Sequence, residues 1–373
     1  MGQTLSEPIT EKHSSKDNDK RFAYGASAMQ GWRLTMEDAH TTLLKLEDTD
    51  ASFFGVYDGH GGATIAQYTG QILHKKIRES SHFDKNEFKE ALKDGFLSID
   101  KDLSEDGNFA YDPSGCTAVT ALVTPDNRIF VANAGDSRSV ISVKGKSKAL
   151  SFDHKPVDRA ESQRIIAAGG FVEFGRVNGN LALSRAIGDF EFKQNPQLPP
   201  EEQIVTCDPD IIEHTMTNDD EFLILACDGI WDCMTNQQAV DFVREAIAAK
   251  SPLDEICEMM MDHCLAPDSE VGGLGCDNMT LVIVGILNGQ TVDEWYTSIA
   301  NRVDSESPKK DALGNDLTSD EESETTQEKE VIEKTPVKED STVKQEEAFE
   351  KVDTTAPAAA AAAAVAKNVA ENP

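Results

Sequence analysis

The sequence predicts an α+β fold with antiparallel sheets, and three observations carry that expectation. Short runs rich in Val, Ile and Phe, bounded by Gly, Asp, Asn or Pro, read as strands. They arrive in blocks with helical stretches between the blocks. Strict β-α alternation, which a doubly wound parallel sheet requires, is missing.

In chain order, the strand-like runs are residues 53–57, 117–123, 129–132, 139–143, 222–226 and 279–286. Phe88, Leu92, Phe96, Ile99 and Leu103 recur every three or four positions and define the apolar stripe of a helix. Residues 236–249 and 253–265 read as two more helices, parted at Ser251-Pro252. No internal repeat is evident.

Composition divides the chain. Residues 1–20 are polar and expected to be a flexible segment, and residues 21–290 hold the globular domain. A short extension, 291–302, leads into a tail, 303–373, expected to be disordered, first acidic and then Ala-rich. Among 373 residues the net charge is −32. Residues 301–350 hold 16 Asp and Glu against 7 Lys and Arg, and the last 23 balance, so −23 falls on residues 1–300. Such acidity argues against nucleic acid as a partner and against electrostatic attachment to an anionic membrane. No stretch reaches the roughly 18 apolar residues of a transmembrane segment. Seven cysteines without a C-x-x-C pair suit reduced thiols in a cytoplasmic or nuclear protein. The start, Met1-Gly2-Gln3-Thr4-Leu5-Ser6, fits the N-myristoylation pattern at Gly2, which would give only weak, reversible membrane association.

The chemistry-bearing residues cluster at strand ends. The run 53–57 leads into Asp58-Gly59-His60-Gly61-Gly62, and the run 222–226 leads into Cys227-Asp228-Gly229-Ile230-Trp231-Asp232. Asp277-Asn278 precedes the run 279–286, and Asp136 sits in the turn Asn133-Ala134-Gly135-Asp136-Ser137-Arg138. A single Asp-Gly after a strand is an ordinary turn. Several such aspartates gathered at one sheet edge would repel one another unless cations hold them, and all-oxygen donors select hard ions such as Mg²⁺ or Mn²⁺. Glycines beside them let the backbone approach and offer a carbonyl. Upstream, Arg33 precedes the adjacent carboxylates Glu37 and Asp38; its guanidinium could fork onto a phosphate or simply form a surface ion pair. A C-x₅-R phosphatase loop, a Walker phosphate loop, a G-x-G-x-x-G turn and an H-E-x-x-H pair are all absent. On the residues alone, the readings left open are a two-metal phosphoesterase and a two-metal nuclease.

Together with Ser114-Gly115-Cys116-Thr117-Ala118 and Ser184-Arg185-Ala186-Ile187-Gly188-Asp189, these motifs follow the order of the metal-dependent type-2C protein phosphatases. Over residues 21–290 the chain resembles that family, in particular its eukaryotic and fungal-type members. The resemblance implies two antiparallel sheets in a sandwich flanked by helices, a four-layer αββα arrangement. It implies a monomeric serine/threonine phosphatase acting on phosphorylated proteins through a metal-bridging hydroxide. By the same resemblance Asp58 bridges two metals, the Gly59 carbonyl binds one, Asp228 and Asp277 ligate the second, and Glu37 acts through water. Asp136, Asp228 and Asp232 match a weaker third site. Arg33 is expected to hold the phosphate, and His60 to be the acid for the leaving alkoxide, its alternative being to orient Asp58. Arg176, in a flap near the site, is expected to shape substrate access. An inactive phosphatase-like adaptor is the alternative; it predicts substituted ligands, whereas none is missing. Thr318-Ser319-Asp320-Glu321-Glu322 in the tail suits an acid-directed kinase and, once phosphorylated, a phosphopeptide-binding partner.

Overall fold

In this computed structural model, residues 4–269 and 273–306 are described. The β-rich runs pair into two antiparallel sheets. One has six strands in the order β1 (Thr4–Asn18), β2 (Phe22–Arg33), β16 (Met279–Ile286), β15 (Asp220–Ala226), β9 (Arg138–Val143) and β10 (Lys146–Ala149). The other has five: β14 (Asp210–Thr215), β8 (Arg128–Ala134), β7 (Ala118–Val123), β4 (Ser52–Tyr57) and β3 (Ala39–Leu43). A three-stranded patch of β13 (Ile187–Gly188), β6 (Gly115–Cys116) and β5 (Gly59–His60) lies beyond the end of β4. A short hairpin joins β11 (Val172–Glu173) to β12 (Arg176–Val177).

The central strands read as unbroken apolar runs because both faces are covered. Along β15, Leu223 and Leu225 enter the core between the sheets, beside Phe54 and Val56 of β4 and Val282 and Val284 of β16. Phe222 and Ile224 point the other way, into a core formed with α5 (Asn236–Ala248), α6 (Leu253–Cys264) and α7 (Val292–Glu306). The outer face of the five-stranded sheet is covered by α1 (Thr64–Glu79) and α2 (Phe88–Glu105), whose stripe from Phe88 to Leu103 is buried throughout. These are the four layers, αββα. The remaining helices are α3 (Arg159–Ala167) and the single turn α4 (Asp228–Trp231). Among the described residues, no helix is long and apolar enough to cross a membrane.

Two segments depart from expectation. Residues 4–18, expected to be flexible, form the edge strand β1, registered on β2 from Thr4↔Arg33 to Asn18↔Ala23. Polar side chains do not prevent this, because an edge strand gains its stability from backbone pairing and from local clips. Lys12 reaches Asp262 at 2.7 Å, and Ser14 donates to Glu258 at 2.5 Å, so both fasten β1 to α6. The extension 291–302 is the body of α7. Trp295 is buried there, and Arg302 reaches the buried Glu221 at 3.0 Å. Gly2 and the tail beyond residue 306 lie outside the described residues.

Candidate metal centre

The carboxylates meet at one end of the sandwich, and they come from both sheets. Glu37 and Asp38 lie on the crossing from β2 to β3, and Asp58 ends β4. Asp136 turns the chain from β8 in one sheet to β9 in the other. Asp228 follows β15, and Asp277 precedes its neighbour β16. A cleft of about 710 Å³ is lined by Arg33, Glu37, Asp58, Gly59, His60, Asp136, Arg176, Asp228 and Asp277, all of them expected site residues. Of the expected site residues, Asp232 is the one that lines instead a separate cavity of about 490 Å³, together with Arg138 and Cys233. Its charge still belongs to the group: its carboxyl is raised by burial, then by Asp136 and Asp277, against the pull of Lys155.

The electrostatics are those of a cation trap. Asp58 is raised well above the usual carboxylate range, first by burial and then by Asp228, Asp38, Asp136 and Asp277. Asp228 is raised likewise, by burial and by Asp136, Asp277, Asp232 and Asp38. Burial pushes Asp38 up to about 7 although Thr280 donates to its Oδ2 at 2.7 Å. Its other oxygen, Oδ1, is buried without a hydrogen-bond partner among N–H and O–H donors. Ligand atoms of Asp38, Asp58 and Cys227 lie within 4.8 Å of one another. Burial and the neighbouring carboxylates drive the Cys227 thiol well up, so at neutral pH it is not a thiolate. The donors that remain are oxygens. An orphaned carboxylate oxygen amid mutually repelling carboxylates is the donor set of a hard divalent cation.

Local backbone explains how these groups approach. A Cβ on Gly59 would sit 2.2 Å from the Glu37 carbonyl oxygen, so no other residue fits there. Glu37 is held by two contacts, Thr35 Oγ1 at 2.7 Å and the Gly62 N–H at 3.1 Å. Its own N–H donates to Asn278 Oδ1 at 3.0 Å. Arg33 Nη2 donates to Asp277 Oδ2 at 2.5 Å. The ion-pair alternative for Arg33 is therefore realised, though with a cleft carboxylate and with further N–H donors left over. Arg176 donates to the Asn180 carbonyl at 2.7 Å and stands on the β11–β12 hairpin at the cleft wall.

Three functional positions were absent from the sequence-derived set. Asp38 was visible as the second carboxylate of the Glu37-Asp38 pair. Asp189 closes the Ser184–Asp189 motif, and its Oδ2 meets His60 Nε2 at 2.7 Å. The hydrogen bond of His60 is thus to Asp189. Burial alone would lower this imidazole, but the bond and the charges of Asp189, Asp136 and Glu37 raise it. Lys155, which is paired with Asp136, had no signal in its Lys-Pro setting.

The family described as protein phosphatase 2C matches residues 22–271. Protein phosphatase 2C homolog 2 of Hypocrea jecorina is 56% identical over 312 residues, 81% of this chain and 71% of that protein. The Schizosaccharomyces pombe protein of the same description is 55% identical over 310 residues, 82% and 84% of the two chains. A phosphatase structure from Toxoplasma gondii superposes with a TM-score of 0.64 at 27% identity, covering 74% of this chain and 96% of its own. With its fold, its acidic cleft and its relatives in agreement, this chain belongs to the protein phosphatase 2C family.

Proposed function

We propose that the cleft binds two divalent ions, Mg²⁺ or Mn²⁺, through Asp58, the Gly59 carbonyl, Asp228 and Asp277, with Glu37 acting through water. The protein is a metal-dependent serine/threonine protein phosphatase acting on phosphoproteins. The observation that supports this ligand set is the convergence of mutually repelling carboxylates with the buried, unpartnered Asp38 Oδ1. Asp38 adds a carboxylate to that set. Asp136 and Asp232, with Asp228, would serve a weaker third ion, for which Lys155 competes at Asp136. When bound, such ions supply Lewis-acid chemistry: an acidified water and neutralised charge on the phosphoryl oxygens.

The chain's own residues do the rest. Arg33, tethered by Asp277, presents its remaining N–H donors to the phosphate. His60 Nε2 is committed to Asp189, which leaves Nδ1 to deliver a proton to the departing serine or threonine oxygen. Asp189 keeps that imidazole charged at the higher pH where such delivery is needed. Arg176 borders the entrance and meets the flanking peptide. Monomeric state, cytoplasmic and nuclear residence, acylation of Gly2 and capture of the tail by a phosphopeptide-binding partner complete the proposal.

The test is phosphate release from a phosphothreonine peptide in EDTA, Mg²⁺ and Mn²⁺, with Asp58→Asn beside the native protein. Metal-dependent release that falls to background in a folded Asp58→Asn protein is the expected outcome. Near-normal release by that variant would sink the ligand assignment.

A further inference from the structure

Beside the cleft, two thiols from distant segments meet. Cys233 follows α4, is half-buried, and lines the surface cavity of about 490 Å³ together with Arg138 and Asp232. Cys264 is the last residue of α6 and is buried. The two thiols interact with each other. The Cys233 thiol also faces the carbonyls of Gly229 and Cys264, each at 3.6 Å. All seven cysteines of the chain are free thiols, and this pair alone, among the described residues, combines thiol-to-thiol contact with an opening to solvent.

We infer that Cys233 and Cys264 form a disulfide when the protein meets a hydroperoxide, and that this disulfide weakens metal binding in the cleft. The second half rests on Asp232 and Asp277 being ligands, as proposed above. Cys233 is the neighbour of Asp232 in the chain. Gly275, two residues before Asp277, hydrogen-bonds Cys233 through its backbone. It also passes so close to the Cys264 carbonyl oxygen that a Cβ there would sit 2.3 Å away. The thiol pair therefore supports the segment that carries Asp277. Joining the sulfurs removes the hydrogen with which Cys233 reaches the Gly229 and Cys264 carbonyls and redirects its sulfur away from Gly275. Both ligand-bearing segments then move together.

The chemistry balances with one hydroperoxide. The sulfur of Cys233, reachable through the cavity, attacks a peroxide oxygen and breaks the O–O bond. Sulfur is oxidised to a sulfenic acid, and the leaving oxygen departs as water (or alcohol) with the thiol proton. The Cys264 sulfur then attacks the sulfenic sulfur, forming S–S and breaking S–O, and its proton leaves with the hydroxide as a second water. Two thiols are oxidised, and one peroxide is reduced.

To test this, the full chain is treated with hydrogen peroxide in EDTA, its free thiols are alkylated, and its peptides are mapped. Mn²⁺ is then returned. Its binding is read by electron paramagnetic resonance titration, and phosphate release is read in parallel, before and after dithiothreitol. Cys264→Ala and Cys233→Ser are run beside the native protein, the second because its site is half-open and tolerant. The expected result is a linked Cys233–Cys264 peptide with Mn²⁺ affinity reduced about fivefold or more, reversed by dithiothreitol and absent in both variants. The inference is overturned by unlinked thiols after peroxide, by irreversible oxidation of Cys233 alone, or by a linked peptide with unchanged Mn²⁺ binding. If the disulfide forms and weakens Mn²⁺ binding in a protein that releases no phosphate, the inference stands while the proposed function falls.

Discussion

His60 and Asp189 are 129 positions apart, yet the fold places their side chains 2.7 Å from each other and leaves room for little else. A Cβ on Gly115 would strike Asp189 Oδ2 at 2.3 Å and His60 Nε2 at 2.7 Å, so the glycine is what admits the pair. Asp189 itself has a positive φ of 52°, uncommon for a residue other than glycine. That turn is held from behind by Asp100, which accepts from the Gly188 N–H at 2.8 Å and from Lys193 at 2.7 Å. Asp189→Asn should therefore lower the pKa of His60 without collapsing the turn. The alkaline limb of the pH–rate profile is expected to move about one unit toward acid. Turnover of a phosphothreonine peptide should fall up to about a hundredfold. An aryl phosphate, whose leaving group needs little protonation, should be affected much less; equal losses on both substrates would remove the acid role from His60. The acidic motifs of this site are legible in sequence because each follows or precedes an apolar strand. Asp189 and Lys155 are not, because their partners are defined only by where the chain folds back.

At the scale of elements, the same division holds for a different reason. The runs within β4, β7, β8, β9, β15 and β16 were readable because strands covered on both faces need uninterrupted Val, Ile, Leu and Phe. Strand β2 escaped because its sequence, Phe-Ala-Tyr-Gly-Ala-Ser-Ala-Met-Gln-Gly-Trp-Arg, is full of small residues. Close packing demands them: a Cβ on Gly25 would lie 2.2 Å from the backbone of Leu253 at the start of α6. Helix α1 was missed because its buried face uses Ala66 and Thr69 beside Ile65, Leu73 and Ile77, which dilutes the apolar period. Helix α7 lies past the family match at residue 271 and is anchored by Trp295, whose indole N–H donates to the Glu221 carbonyl at 3.2 Å. Its ring packs where Gly285 leaves space on β16. Trp295→Ala is expected to cost about 3–5 kcal/mol in urea denaturation, with activity per folded molecule little changed, since α7 lines no part of the cleft. A large loss of turnover at full stability would show that α7 communicates with the site.

For the molecule as a whole, the carboxylate group sets a pH dependence of stability. Asp38, at about 7, and Asp58 and Asp228, both raised well above the usual carboxylate range, hold protons in the fold that they would release in the unfolded chain near pH 4. The native state therefore binds more protons, and stability falls as pH rises from the ordinary carboxylate range through 7. Divalent cations bound as proposed would remove that penalty by replacing the protons. In EDTA the melting temperature should decrease between pH 5.5 and 8, whereas in Mg²⁺ or Mn²⁺ it should hold or rise over the same interval. Calorimetry in buffers of different ionisation enthalpy should also detect proton release on metal addition. A melting temperature in EDTA that rises with pH would mean that these carboxylates are not crowded in the fold.

The crossing points have one more consequence. Glu37, Asp38 and Asp136 sit where the chain passes from one sheet to the other, and Asp228 and Asp277 end neighbouring strands of one sheet while Asp58 ends a strand of its partner. Ions bound among them as proposed would act as a clasp on the open edge of a book whose pages are the two sheets. Amide hydrogen exchange should record it as a gradient: strong metal-dependent protection near Tyr57, Ala118, Ala226 and Met279, fading along the same strands toward Ser52, Val123 and Ile286 at the far end, where packing and Arg21, which donates to the Asp50 and Thr124 carbonyls, bind the pages without metal.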